Sequence, residues 1–152
     1  MRLQETGANL PALVQRTLNR MPYSTLKLWG LVLPEARLED GVLWVGVRRA
    51  QIAAAGQPTD EVKLNSIFAT IVEADIAAVF TEKIGKSGRS AVECSFRAKP
   101  GFAVGELALS FGGGGHPPAS GCTLEGTLDE VIAVVVPVLK ETRRKQAGQA
   151  AG

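Results

Sequence analysis

Four consecutive glycines, Gly112–Gly115, stand immediately before the only histidine of the chain, His116. Backbone without side chains buries nothing and carries no rotamer preference. A fold built around residues 111–121 must hold this strip by its amides or leave it loose. The flanks argue for holding it. Val104, Leu107, Ala108 and Phe111 repeat at helical spacing, and Gly112 falls where a helix cap belongs. Pro117 and Pro118 stiffen the exit, and Ala119–Glu125 reads as a strand. With apolar periodic segments pressing on both sides, the strip is a binding loop rather than a flexible linker. It leaves the negative end of a helix dipole. An anion there would need glycine amides converging as a nest, His116, and cations from elsewhere.

The other elements follow from periodicity. Leu10, Leu13, Val14 and Leu18 mark a first helix, and Ser24 caps a second over Thr25–Leu33 that Pro34 ends. Glu39-Asp40-Gly41 is a turn, followed by the buried strand Val42–Val47. A short helix over Ala50–Ala55 and an amphipathic one through Leu64, Ile67, Phe68 and Ile71, capped by Asp60, lead to a strand over Ile76–Ile84. The next strand is the most informative. Ser90, Val92, Cys94, Phe96 and Ala98 share one face, while Ala91, Glu93, Ser95, Arg97 and Lys99 share the other. Ser95, Arg97 and Lys99 thus project together from an accessible face. Thr127 and Glu130 form a capping box for a last helix that contains Pro137, and Gln146–Gly152 reads as a tail. The expectation is one α/β (α+β) domain: a mixed β-sheet of about four to five strands flanked by helices.

Composition removes several function classes. A net charge of +2 is too small for a broad nucleic-acid surface, and 5% aromatics supply no stacking platform for long single strands. Cys94 and Cys122 form no zinc spacing and read as small buried residues of a reducing compartment. No membrane-spanning run or signal peptide is visible, so the expected location is the cytoplasm.

Ser95-Phe96-Arg97-Ala98-Lys99, a helix, and then Phe111-Gly-Gly-Gly-Gly-His116-Pro-Pro-Ala119-Ser-Gly121 together resemble the DHH-associated C-terminal domain of the DHH phosphoesterase superfamily. The subgroup of bifunctional oligoribonucleases and phosphoadenosine-phosphate phosphatases is the nearer likeness, with RecJ-like exonucleases more distant. The resemblance is strong over residues 90–140 and weaker over 22–89. It implies a linker and first helix over 1–23, a substrate-binding domain over 24–146 and a tail over 147–152. It also implies that Ser95, Arg97, Lys99, Gly113, Gly114, Gly115 and His116 grip the phosphate of a short oligonucleotide or a phosphorylated adenine nucleotide. Such proteins hold two manganese ions in an N-terminal DHH domain. This chain has no Asp-His-His, so no catalytic or metal-ligating residue is expected in it, and alone it should hydrolyse nothing. A DHH domain is the implied partner, and homodimerisation stays open. Ala98 stands where the family usually has Ser, with the expected loss of one phosphate hydrogen bond, and Ser120 where it usually has Ala. A stand-alone RNA- or tRNA-binding module and a structural oligomerisation domain are the alternatives.

Overall fold

Strict alternation along residues 90–98 requires a sheet with two different faces, and the computed structural model, which describes residues 21–58 and 62–151, has that form. Helix α1 (Tyr23–Val32) and a 3-10 turn (Leu33–Glu35) precede strands β1 (Arg37–Glu39) and β2 (Val42–Val47). Helices α2 (Arg49–Ala54) and α3 (Val62–Phe68) connect to β3 (Ile76–Ile84) and β4 (Ser90–Ala98). Then come α4 (Gly105–Ser110), β5 (Gly114–His116), β6 (Ala119–Glu125) and α5 (Leu128–Ala151). The sheet is mixed, in the order β1-β2-β3-β4-β6-β5, with only β2 and β3 parallel.

Each sheet face packs its own core. On one, Trp44, Phe80, Cys94 and Phe96 meet Leu107 and Ala108 of α4 and Leu128, Val135 and Leu139 of α5. Phe80 and Phe96 meet edge to face at 6.4 Å, adding about 0.5–1.5 kcal/mol beyond area burial. On the other, Leu43, Val45, Ala77 and Val79 lie under Leu28, Trp29 and Val32 of α1 and Leu64 and Phe68 of α3. That second helical layer lies mainly over β2 and β3, and α3 reaches β4 at Ser95. Glu93, Ser95 and Arg97 of β4, with Ala119, Gly121 and Thr123 of β6, keep solvent exposure on the same side.

Several expectations are corrected. The sheet has six strands rather than about four to five. β1 has no apolar alternation to betray it. It forms because Asp40 and Gly41, at φ 52° and 76°, close a two-residue hairpin of the kind whose twist suits its strands. α1 starts one residue before Ser24 with Pro22 at its cap, whose carbonyl accepts from the Thr25 and Leu26 amides. α5 continues through the expected tail to Ala151. Gln146 helps hold it: its amide Nε2 donates to the Ala103 carbonyl at 3.0 Å, and its Oε1 accepts from the Ala103 N–H at 2.9 Å. Ala98 packs toward the α4–α5 core, so its missing hydroxyl is not lost from the accessible face. Ser120 is buried and donates to the Val104 carbonyl at 2.7 Å. The helix expected over Leu10–Leu18 and the Asp60 cap lie outside the described residues. The capping box at Thr127 and Glu130 is present in both directions.

Candidate functional site

The glycine strip is divided between two structures. Helix α4 ends in a Schellman motif: Gly112 N–H donates to Leu109 O at 3.0 Å and Gly113 N–H to Ala108 O at 2.8 Å. Gly112 occupies the left-handed position, φ 83°, that this motif gives to glycine. From Gly114 the strip becomes β5, which turns at Pro117-Pro118 and pairs with β6. The Ala98 N–H bond to Pro118 O fixes the alternation, turning backbone groups of Ala119 and Gly121 toward β5. Gly114 and His116 pair with those residues, which leaves the Gly115 N–H at the outer edge. The four amides therefore do not converge as a nest. Two close a helix, one joins a ladder and one faces out.

The rows of the sheet define the site. Arg97, Ala119 and His116 lie side by side across β4, β6 and β5, so Arg97 and His116 flank a small residue at about 10 Å between backbones. The next row is Ser95, Gly121 and Gly114, one hydroxyl beside two positions without side chains. The third is Glu93 opposite Thr123. The missing side chains leave an open hollow of about 530 Å³ lined by Glu93, Ser95, Gly113, Gly114, Gly121 and Thr123 among others.

The glycines differ in why they are glycine. A Cβ on Gly113 would lie 2.0 Å from the Gly121 carbonyl oxygen, and one on Gly115 would lie 2.6 Å from Ser120 Cα at a φ of +137°. A Cβ on Gly121 would meet the Cys94 carbonyl oxygen at 2.6 Å. Gly114 has no such reason: nothing lies within 4 Å and its φ is outside the left-handed region. It lines the hollow.

Among the sequence-expected residues, Ser95, Arg97, Gly114 and His116 share this face. The Arg97 guanidinium donates to the Phe96 carbonyl at 3.0 Å and forms no ion pair with a carboxylate among the described residues. Lys99 is committed elsewhere. Its ammonium donates to the carbonyls of Ile71 and, at 3.2 Å, Val72, in the segment after α3. Glu93 is tied to Lys83 by an ion pair. On the opposite face Cys94 and Cys122 stand directly across from one another as buried thiols. The hydrogen bond to Cys122, and then burial, push the Cys94 thiol far above its usual range.

Sequence reasoning missed Gly121 and Thr123, which only the β4–β6 register brings beside Ser95, and Asn65, which donates to Ser95 Oγ at 3.0 Å. The one signal for Asn65 was a polar residue between Leu64 and the apolar stripe of α3. Among the described residues no group of three or more His, Cys, Asp or Glu is placed to hold a metal ion. No described helix is long and apolar enough to cross a membrane.

The model of a family described as the DHHA1 domain matches residues 51–142. The bifunctional oligoribonuclease and PAP phosphatase NrnA of Thermus thermophilus is 33% identical over 139 residues, 89% of this chain and 40% of that protein. An exopolyphosphatase-related protein from Bacteroides fragilis shares the fold at a TM-score of 0.78 and 19% identity, over 95% of this chain and 42% of its own. The pGpG-specific phosphodiesterase PggH of Vibrio aligns at a TM-score of 0.54 and 14% identity, over 82% of this chain and 40% of its own. The chain thus spans about two-fifths of the length of each of these relatives.

Proposed function

The chain belongs to the DHHA1 domain family, and from that premise we propose that its open sheet face is the substrate grip of a DHH-family phosphoesterase. In this reading Arg97 and His116 hold a terminal phosphate between them, across Ala119. The Arg97 guanidinium offers paired donors to two phosphate oxygens. Ser95 adds a hydroxyl donor, and the sugar and base of the nucleotide lie over Gly121 and Gly114. Lys99, bonded to two carbonyls, supports the end of α3 rather than the ligand. The substrates are short oligonucleotides or 3′-phosphoadenosine 5′-phosphate, chemistry that matches the name of the Thermus relative. Hydrolysis belongs to a DHH domain that brings its own manganese; this chain binds and orients.

One observation carries the reading. Gly114 is a glycine with no steric or conformational need to be one, on the face where Arg97, His116 and Ser95 project. Close approach of a ligand is a reason that remains. The test is an NMR titration of the ¹⁵N-labelled chain with a 5′-phosphorylated dinucleotide, which detects weak binding without the catalytic domain. The expected result is saturable shifts of the Gly114, Gly115, His116 and Arg97 signals, lost in Arg97→Ala. Saturable shifts confined to another surface, or none at millimolar ligand, would refute it. Tighter binding of long RNA with a steep salt dependence would favour a stand-alone RNA module instead.

A further inference from the structure

Asn65 lies in α3 with no solvent exposure. Its Nδ2 donates to Ser95 Oγ at 3.0 Å, and its Oδ1 has no hydrogen-bond partner among the described residues. A buried carbonyl oxygen that has given up water and gained nothing works against folding. Its neighbours Leu64 and Phe68 are apolar and buried in the core between α3 and the sheet. An apolar side chain at position 65 would serve that core better. What Asn65 does instead is touch a residue of the hollow.

We propose that Asn65 is a positioning residue for the phosphate grip, acting through Ser95; the inference rests on the reading of the open face given above. A hydroxyl has one proton and two lone pairs. The Asn65 N–H occupies one lone pair of Ser95 Oγ from the α3 side. Ser95 donates to no group among the described residues, so its proton is left for the hollow it lines. A serine held in this way meets an anionic oxygen as a donor. Without Asn65 the hydroxyl rotates freely and must be ordered by the ligand itself. The arrangement exchanges folding stability for a preset donor, a trade met at binding sites.

The test is a double-mutant cycle on the full chain, with the 5′-phosphorylated dinucleotide as probe and NMR-derived affinities as readout. Asn65→Leu should weaken binding about fivefold, the scale of one hydrogen bond. Its melting temperature should equal or exceed that of the wild type, because the orphaned oxygen is gone. In the Ser95→Ala background Asn65→Leu should cause no further weakening. Losses that multiply in the double variant would overturn the proposal, as would a lower melting temperature with unchanged affinity. Asn65→Val, smaller than leucine, gives the same comparison if the leucine variant does not fold. Absence of wild-type binding, or binding that Arg97→Ala leaves intact, would sink the phosphate-grip reading itself and this inference with it. Multiplying losses on an Arg97-dependent site would sink this inference alone.

Discussion

The paired substitutions Gly114→Ala and Gly115→Ala separate a glycine kept for a ligand from one kept for the fold. At Gly114 the added methyl meets no atom within 4 Å, and the backbone is outside the left-handed region. A glycine-to-alanine change where alanine fits removes unfolded-state freedom and stabilises by about 0.4–1 kcal/mol. For a domain of this size that raises the melting temperature by about 1–4 °C. At Gly115 the methyl would stand 2.6 Å from Ser120 Cα and 2.7 Å from the Ala119 carbonyl oxygen, at a φ of +137°. Backbone strain of about 1–3 kcal/mol and overpacking of a similar size lower the melting temperature by about 5–20 °C. Binding should run the other way for Gly114. Its methyl projects into the hollow and should weaken a phosphorylated dinucleotide about tenfold, or about 1.4 kcal/mol. Differential scanning calorimetry and a ligand titration on both variants make the comparison. A Gly114→Ala protein that melts several degrees low, or that binds like the wild type, would refute the argument that this glycine is open for a ligand.

Arg97→Ala should cost about 1.5–3 kcal/mol of phosphate binding, the scale of a charge-assisted hydrogen bond, and Arg97→Lys should recover only part, because an ammonium lacks the paired donors. Titration of both variants with the same dinucleotide checks this, and full recovery by lysine would argue against a bidentate grip. Cys94, whose thiol is pushed up by its bond to Cys122 and by burial, should resist iodoacetamide at mildly alkaline pH in the folded chain and react in denaturant. Mass spectrometry of the alkylated chain reports it, and rapid native labelling of Cys94 would contradict the buried pair. Glu39 is held below its ordinary value of 4.5 chiefly by a hydrogen bond from Lys140. The folded carboxylate is the weaker proton binder. Its contribution is therefore complete above about pH 4.5 and is lost as the pH falls through the folded value. The gap in melting temperature between wild type and Lys140→Met should shrink from about pH 6 to about pH 3, whereas a constant gap would remove Glu39 from the account.

What could be read from the sequence was local. The alternation of Glu93, Ser95 and Arg97 against Val92, Cys94 and Phe96 needed only the period of a strand, and the burial of β4 follows it. The Gly112 cap and the Thr127 capping box were legible for the same reason. The destinations of the glycine amides were not. Whether Gly114 N–H meets an anion or joins a ladder depends on its pairing with Gly121, and Gly121 in turn on Ser95, a register set by distant strands. Lys99 shares a face with Arg97 in any strand drawing, yet its long stem reaches the Ile71 and Val72 carbonyls, whose position depends on how α3 ends. Asn65 came to Ser95 from 30 residues away, through packing of α3 beside the open face.

The connection lengths within the sheet order its assembly in time. β3 and β4 are joined by the five residues Gly85–Arg89 and zip along nine paired positions. β2 and β3, parallel, are joined by the 28 residues Arg48–Asp75, which include two helices. Closing the longer loop costs about 1.5 kcal/mol more chain entropy than closing the shorter. On this term β4 is expected to join β3 before the parallel β2 does, with the two-residue hairpins β1–β2 and β5–β6 closing early as well, and the helical cover over β2 and β3 following. Substitutions in the β3–β4 pairing should slow folding, while those in α1 should mainly speed unfolding. The strand that carries Ser95 and Arg97 is thus expected to find β3 before β2 joins the sheet.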